Sequence, residues 1–564
     1  MHRSRICELE WEGMDGTCSR GGGDDNSAVS MFDLKAALSC LDLDDNGHTN
    51  AALLCGDRHA ADRERVALRH RGLDGVTMEW TFARLAHDSA RLATALASLG
   101  VTKGDRVAGL LPRSPELLIL ILATWRLGAV YQPLFTAFGS KAIEYRLTEA
   151  DTRVIVTDQD NCPKIADLPS SVEQIIVGAD KDNGQRDFWL MIESEEDAHM
   201  AVPCGLDDPL LIMFTSGTTG PAKPLLVPIK AIAAFAAYMR DAVGLRRDDH
   251  FWNLADPGWA YGLYYAVTGP LALGMTTTFN QRGFDVDDAY DTIAELGITN
   301  LAGSPTAYRL LLAGGAEKAA RIKGQLRAVS SAGEPLNPEI IRWFDEHLSA
   351  PIYDHYGQTE LGMVLCNHHG IDHSIHVGSA GFASPGHRVV VISPEGEELP
   401  QGEPGILALD RKASPMMWFS GYLERETKAF VGDYYLSGDT VEQNKDGSIS
   451  FIGRADDVIT TSGYRVGPFD VESALLEHEA VMESAVIGKP DPERTEIIKA
   501  FIVLNQGYSA DQPDLASSIQ RYVKTRLSAH AYPREVAFVE SLPKTPSGKV
   551  QRFLLRNEEI AKQR

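Results

Sequence analysis

Apolar residues in this chain gather into short continuous runs separated by stretches with helical spacing. The run at 210–213, LLIM, is too short for a helix and apolar throughout, which predicts a buried strand. The longest aliphatic stretch, LLILILATW at 117–125, falls well short of the ~20 residues a membrane-spanning helix needs and predicts a buried helix. Downstream, strand-like runs alternate with amphipathic segments, the pattern of an α/β protein. Two of the runs end in small or polar residues: RAVSSAGEPL at 327–336 runs into Gly333, and PIYDHYGQTE at 351–360 ends in a glycine, an amide, a hydroxyl and a carboxylate. Such endings predict strands that stop at a ligand-facing turn. A length of 564 residues exceeds one compact core, so two or more domains are expected, and no internal repeat is present.

Composition changes this picture little. A hydrophobic content of 44% with 23% charged residues fits a soluble globular protein. The formal charge of −24 argues against a general nucleic-acid or anionic-membrane surface, and leaves room for a small polyanion in a local basic pocket. Seven scattered cysteines without CxxC spacing read as reduced thiols, so a cytoplasmic protein is expected. Residues 1–30, with GGGDDNS at 21–27, lack the apolar core of a signal peptide and read as a disordered tail, with Met31 a candidate start. Two motifs suggest metals and fail on spacing. DLDDNG at 42–47 begins like a calcium loop, yet Leu53 stands where its twelfth-position glutamate belongs. CNHHGIDHSIH at 366–376 offers a cysteine and four histidines without a structural zinc spacing. No structural metal is expected.

The chemistry begins at FTSGTTGPAK, 214–223, immediately after the buried strand. Glycines permit close backbone approach, hydroxyls add donors and the lysine adds charge, which together suit a phosphate. It is no Walker A loop: two residues separate Gly217 from Gly220, and Pro224 follows Lys223. In YGQTE, Tyr356 can stack on a base, Thr359 can bond a phosphate oxygen and Glu360 can hold Mg²⁺. Asp439, in YLSGDT at 435–440, suits the two hydroxyls of a ribose.

Taken in this order, the motifs resemble those of the adenylate-forming superfamily, from about Met31 to the C-terminus. The resemblance implies a large multilayer α/β domain with a small β-barrel-like lobe over 31–455, and a small mobile α+β domain over 456–564. It implies an ATP site made of Thr215, Ser216, Gly217, Thr218, Thr219, Gly220 and Lys223, with Ala222-Lys223-Pro224 in place of the usual Pro-Lys-Gly. Gly333, Glu334, Pro335, Tyr356 and Gln358 belong to the same site by resemblance, with Asp439 and Arg454 on the ribose. Thr359, Glu360 with Mg²⁺, and Lys549 of PKTPSGKVQR are implied to be catalytic. Asp456 matches the hinge, and Gly463, Tyr464 and Arg465 of SGYRVGP match the segment that meets CoA in acetyl- and medium-chain acyl-CoA synthetases.

That family activates a carboxylate by attack on the α-phosphate of ATP, which turns a poor leaving group into AMP, and then passes the acyl group to the thiol of CoA. The implied partners are therefore a small carboxylic acid, ATP and CoA, with no nucleic acid, no membrane span and a possible homo-oligomer. Trp259, Ala260 and Tyr261 of DPGWAYG, with Ala332 and Gly357, are implied to line the acyl pocket. Acetate-specific relatives carry tryptophan where Gly357 stands, so small residues at 260, 332 and 357 predict room for propionate to medium-chain or branched acids, with acetate and aryl acids as alternatives. Two rivals lie further off, a carrier-protein-loading adenylation enzyme and a non-catalytic nucleotide sensor. A hydrolase is disfavoured because no G-x-S-x-G elbow is present.

Overall fold

The computed structural model describes residues 33–169, 171–180, 184–195, 198–215, 222–454, 457–461, 464–491, 494–528, 530–545 and 549–562, with backbone alone at 464 and 465. The tail at 1–30, Ser216, Gly217, Thr218, Thr219, Gly220, Asp456 and Gly463 lie outside the described residues.

A nine-stranded sheet carries the strands predicted from RAVSSAGEPL and PIYDHYGQTE side by side. Its middle runs Ile352–Gln358, Ala328–Ala332, Asn300–Gly303, Phe251–Asn253, Thr277–Asn280 and Val66–Arg71, all parallel. Antiparallel strands close its ends, Gly362–Cys366 and Phe382–Ala383 on one side and Thr77–Thr81 on the other. Parallel strands need covering helices. Here Val286–Glu295, Pro305–Ala313 and Pro338–Leu348 supply Tyr290, Tyr308, Leu311 and Phe344 to a core shared with Trp252, Leu301, Val329 and Ile352. Two of these helices start at a polar cap shortly after a strand: Ser304 accepts from Ala307 N, and Asn337 from Glu339 N. The turns at the carboxyl ends of the strands are thereby fixed and free to face a ligand.

A seven-stranded sheet holds the apolar run at 210–213 within the strand Pro209–Phe214, which pairs antiparallel with Pro224–Pro228. The candidate phosphate loop is the connection of this hairpin. The aliphatic stretch at 117–125 lies in the helix Pro115–Arg126, buried on nearly every side as expected. The lobe expected to be barrel-like is an antiparallel sheet of Val389–Ile392, Gly405–Asp410, Phe430–Val431, Tyr434–Gln443 and Ile449–Arg454, which does not close on itself among the described strands.

From Ile459 onward the chain builds a further five-stranded sheet, in which Val481–Asp491 and Thr495–Leu504 pair along their whole length. The helices Pro468–Leu476 and Leu515–Arg526 pack on it over a separate apolar core that includes Val471, Val486, Ile498 and Ile519. The last helix, Arg552–Lys562, reaches back to the start of this body. Arg556 donates to Asp457 at 2.9 Å, and Arg552 binds both oxygens of Glu472 at 2.9 and 2.7 Å. Among the described residues, no helix is long and apolar enough to cross a membrane. The calcium-like motif is a local turn, since Asp44 Oδ1 accepts from the backbone of Asn46 and His48 at 2.8 Å each.

Candidate active site

Sheet register brings the motifs together. Ala332 pairs with His355, so the turn at Gly333 and the side of Tyr356 leave neighbouring strands at one level. Gly333 has a φ of +100° and no atom within 4 Å of where a Cβ would sit, an open slot beside a backbone conformation that favours glycine. Beyond it Glu334 turns away and accepts from Thr306 Oγ1 at 2.9 Å, with Arg309 3.4 Å off. Asp439 and Arg454 are cross-strand partners in the antiparallel sheet.

Three strands, Ile352–Gln358, Tyr434–Gln443 and Ile449–Arg454, converge on the Asp439 carboxylate. The Tyr356 hydroxyl donates to Oδ2, Gln358 Nε2 donates to the same oxygen at 3.1 Å, and Arg454 Nη1 lies 3.4 Å from Oδ1. Tyr435 donates to Gln358 Oε1 at 2.9 Å and so sets which end of the amide faces Asp439. Burial pushes the Asp439 pKa up, while Arg454, Tyr356, Gln358 and the charge of Lys549 act against it. Lys549 belongs to the C-terminal body and is exposed. Its loop is closed by Thr545 N donating to Lys549 O at 2.8 Å.

A second group forms where YGQTE ends. Glu360 is only 9% exposed, and no cation pairs with it among the described residues; its Oε1 accepts from the Tyr422 hydroxyl at 2.7 Å. A buried carboxylate without a cationic partner is costly unless a cation joins it. Lys223 Nζ lies 5.0 Å from the centroid of the Tyr422 ring, and the backbone of Lys223 bonds that of Thr215 at the neck of the loop, at 3.0 Å. The Thr359 carbonyl accepts from Tyr264 at 3.0 Å.

The residues expected to line the acyl pocket lie in differing surroundings. Ala332 is fully buried. Trp259 packs its indole against Phe135 and Phe138, at centroid distances of 5.6 and 5.4 Å, and Tyr261 sits 6.0 Å from Tyr265. Gly357 does not open volume. A Cβ there would stand 2.7 Å from the Met363 sulfur and closer still to the Gly362 carbonyl oxygen. The strands Ile352–Gln358 and Gly362–Cys366 shift register between Tyr356 and Gly357, and this bulge draws the partner strand onto the glycine. The small residue is the condition for close strand contact.

A family model for AMP-binding enzymes matches residues 57–423, and a model for the AMP-binding enzyme C-terminal domain matches 470–549. The chain belongs to the AMP-binding enzyme family. It is 37% identical to an acetyl-coenzyme A synthetase of Bacillus subtilis over 94% of both chains. An acyl-CoA synthetase structure from Brucella canis is 55% identical, with a TM-score of 0.76 over 95% of this chain and 99% of that one. An anthranilate CoA ligase, AuaEII, in complex with anthranoyl-AMP, is 26% identical and superposes with a TM-score of 0.85 over 93% and 99%. The chain is accordingly an enzyme of the acyl-CoA synthetase class.

For this AMP-binding enzyme, the sequence motifs omit the residues that hold the named ones in place. Tyr422 on Glu360, Tyr435 on Gln358 and Thr306 on Glu334 come from distant segments. Tyr264 and Tyr265 follow the DPGWAYG motif in a π-helical stretch, Leu263–Thr268; Tyr265 accepts from Met363 N at 2.8 Å. A run of tyrosines beside that motif was the available signal.

Proposed function

We propose that this enzyme converts a propionate to medium-chain or branched carboxylic acid, ATP and CoA into acyl-CoA, AMP and pyrophosphate through an acyl-adenylate. The observation that carries the reading is the Asp439 carboxylate, gripped by Tyr356, Gln358 and Arg454 and acted on by the charge of Lys549. A buried, oriented carboxylate suits a ribose diol, and a mobile cation beside it suits the neighbouring α-phosphate and acyl carboxylate. Gly333 and Tyr356 would flank the base. Thr215, Ser216, Thr218 and Lys223 would contact the β- and γ-phosphates.

Glu360 and Thr359 would hold Mg²⁺, and the unpaired burial of Glu360 among the described residues fits that role. When bound, Mg²⁺ neutralises charge on the phosphates. Lys549 then brings two anionic groups together, which is where most of the barrier lies. We further propose that residues 456–564 turn about Asp456, withdrawing Lys549 and presenting Gly463, Tyr464 and Arg465 to CoA. Ala332, Ala260, Tyr261 and Trp259 would bound the acyl chain.

The test is AMP release with a panel of C2–C10 and aryl acids. AMP formation that requires both an acid and CoA, with propionate or a longer acid preferred, is expected. Stoichiometric ADP would overturn the chemistry, and a preference for acetate would overturn the substrate class.

A further inference from the structure

Tyr422 stands where three parts of the phosphate site meet. Its backbone forms an antiparallel bridge with Leu225, on the strand that leaves the phosphate loop, and the next residue, Leu423, donates to Pro224 O at 2.9 Å. Thr427 Oγ1 accepts from Tyr422 N at 3.0 Å, which fixes the residue from its other side. From this anchored position the hydroxyl reaches Glu360, in the turn between the strands Ile352–Gln358 and Gly362–Cys366, and the ring faces Lys223, just before the strand Pro224–Pro228.

We propose that Tyr422 is a positioning residue that aims Glu360 through its hydroxyl and holds Lys223 on its ring, apart from that carboxylate. The inference rests on Glu360 serving Mg²⁺ and Lys223 serving the polyphosphate. Lys223 follows the loop that would hold the triphosphate, and Glu360 is a buried carboxylate without a cationic partner among the described residues. Direct pairing of the two would satisfy the carboxylate and compete with a metal ion. The ring prevents this while costing little, since an ammonium on an aromatic face is weakly held and is released to a better partner such as a phosphate. The phenol donates one proton to Oε1 and leaves the rest of the carboxylate's acceptor capacity for a cation.

The experiment separates hydroxyl from ring. Binding of α,β-methylene-ATP is measured by calorimetry across a Mg²⁺ titration, alongside the initial rate of acyl-adenylate formation, for wild type, Tyr422→Phe, Tyr422→Leu, Lys223→Ala, Glu360→Gln and the Tyr422→Phe/Glu360→Gln double variant. Loss of a hydrogen bond to a charged group corresponds to roughly tenfold or more, so Tyr422→Phe is expected to raise the half-saturating Mg²⁺ concentration by about that factor. Because Phe keeps the ring, analogue affinity at saturating Mg²⁺ should stay within about twofold of wild type for it, with a larger loss in Tyr422→Leu. The double variant should be no worse than Glu360→Gln alone. Wild-type Mg²⁺ dependence in Tyr422→Phe, or full additivity with Glu360→Gln, overturns the positioning role. Unchanged Mg²⁺ dependence in Glu360→Gln overturns the metal role of Glu360 and this inference with it.

Discussion

Gly357 separates two accounts of acyl selectivity. If its missing side chain were open volume, Gly357→Trp would fill the pocket and turn the enzyme toward acetate. The structure gives a different expectation. To reach ordinary contact at 3.4 Å, the Met363 sulfur must retreat by about 0.7 Å from a new Cβ, and the Gly362 carbonyl must move further. The sulfur can yield, because methionine is flexible, but the carbonyl is backbone. It sits in the turn that pairs Gln358 with Gly362, so displacing it also pulls Gln358 from Asp439. Overpacking of this kind costs about 1–3 kcal/mol. Gly357→Ala should therefore lower the unfolding temperature and raise the KM for ATP, while the ratio of kcat/KM between acetate and butyrate stays within about twofold, since no methylene pocket is altered. Gly357→Trp should lose stability and activity toward every acid alike. The assay is thermal unfolding together with kcat/KM for acetate, propionate, butyrate and hexanoate. A Gly357→Trp enzyme with wild-type stability and a tenfold shift toward acetate would refute the packing argument.

Other predictions address the chemistry and the pH response. Lys549→Ala should slow adenylation on the order of 10²-fold or more, while thioester formation from supplied acyl-adenylate changes little; equal loss in both, in a folded protein, counts against domain rotation. Asp439→Ala removes the acceptor for a ribose diol and should cost roughly 3–5 kcal/mol of ATP recognition, read as a rise in KM for ATP of 10² or more. His368 is 5% exposed, and burial with the neighbouring His373 holds it down to about 4 from 6.5. Its folded pKa is lowered, so the unfolded chain takes up the proton first, and stability is lost as pH falls from 6.5 through about 4, by about 3 kcal/mol. Denaturant unfolding at pH 7 and pH 4.5 should show a smaller acid loss in His368→Asn than in wild type; an equal loss would show that His368 does not titrate in this way.

The strands and their polar endings were legible because a buried strand and the turn after it are written in contiguous residues. LLIM at 210–213 and the endings of 327–336 and 351–360 carry that information locally. The residues that aim the site were not legible, since Tyr422 lies 62 positions from Glu360 and Tyr435 lies 77 from Gln358. Only the folded register makes such pairs neighbours. Gly357 misled for a related reason. A small residue reads as space when its own strand is considered alone, and the bulged partner strand is what fills that space. The lobe expected to be barrel-like keeps its antiparallel pairing, but closure depends on strand tilt and stagger that no motif records.

The grip of the last helix on Asp457 bears on how the enzyme can be built and altered. Arg454 is tied to Asp439 on one side, and Asp457 is tied to Arg556 on the other. The proposed turn of the C-terminal body falls between these two ties. Such a joint works as an axle, where a long flexible linker would work as a leash. On the proposed rotation it would confine Lys549 to an arc, so that the lysine would return to the same point on every cycle. The axle's outer bearing is the helix Arg552–Lys562 at the far end of the chain. A chain cut before Arg552 would lose the tie of Arg556 to Asp457, 99 positions upstream, together with that of Arg552 to Glu472.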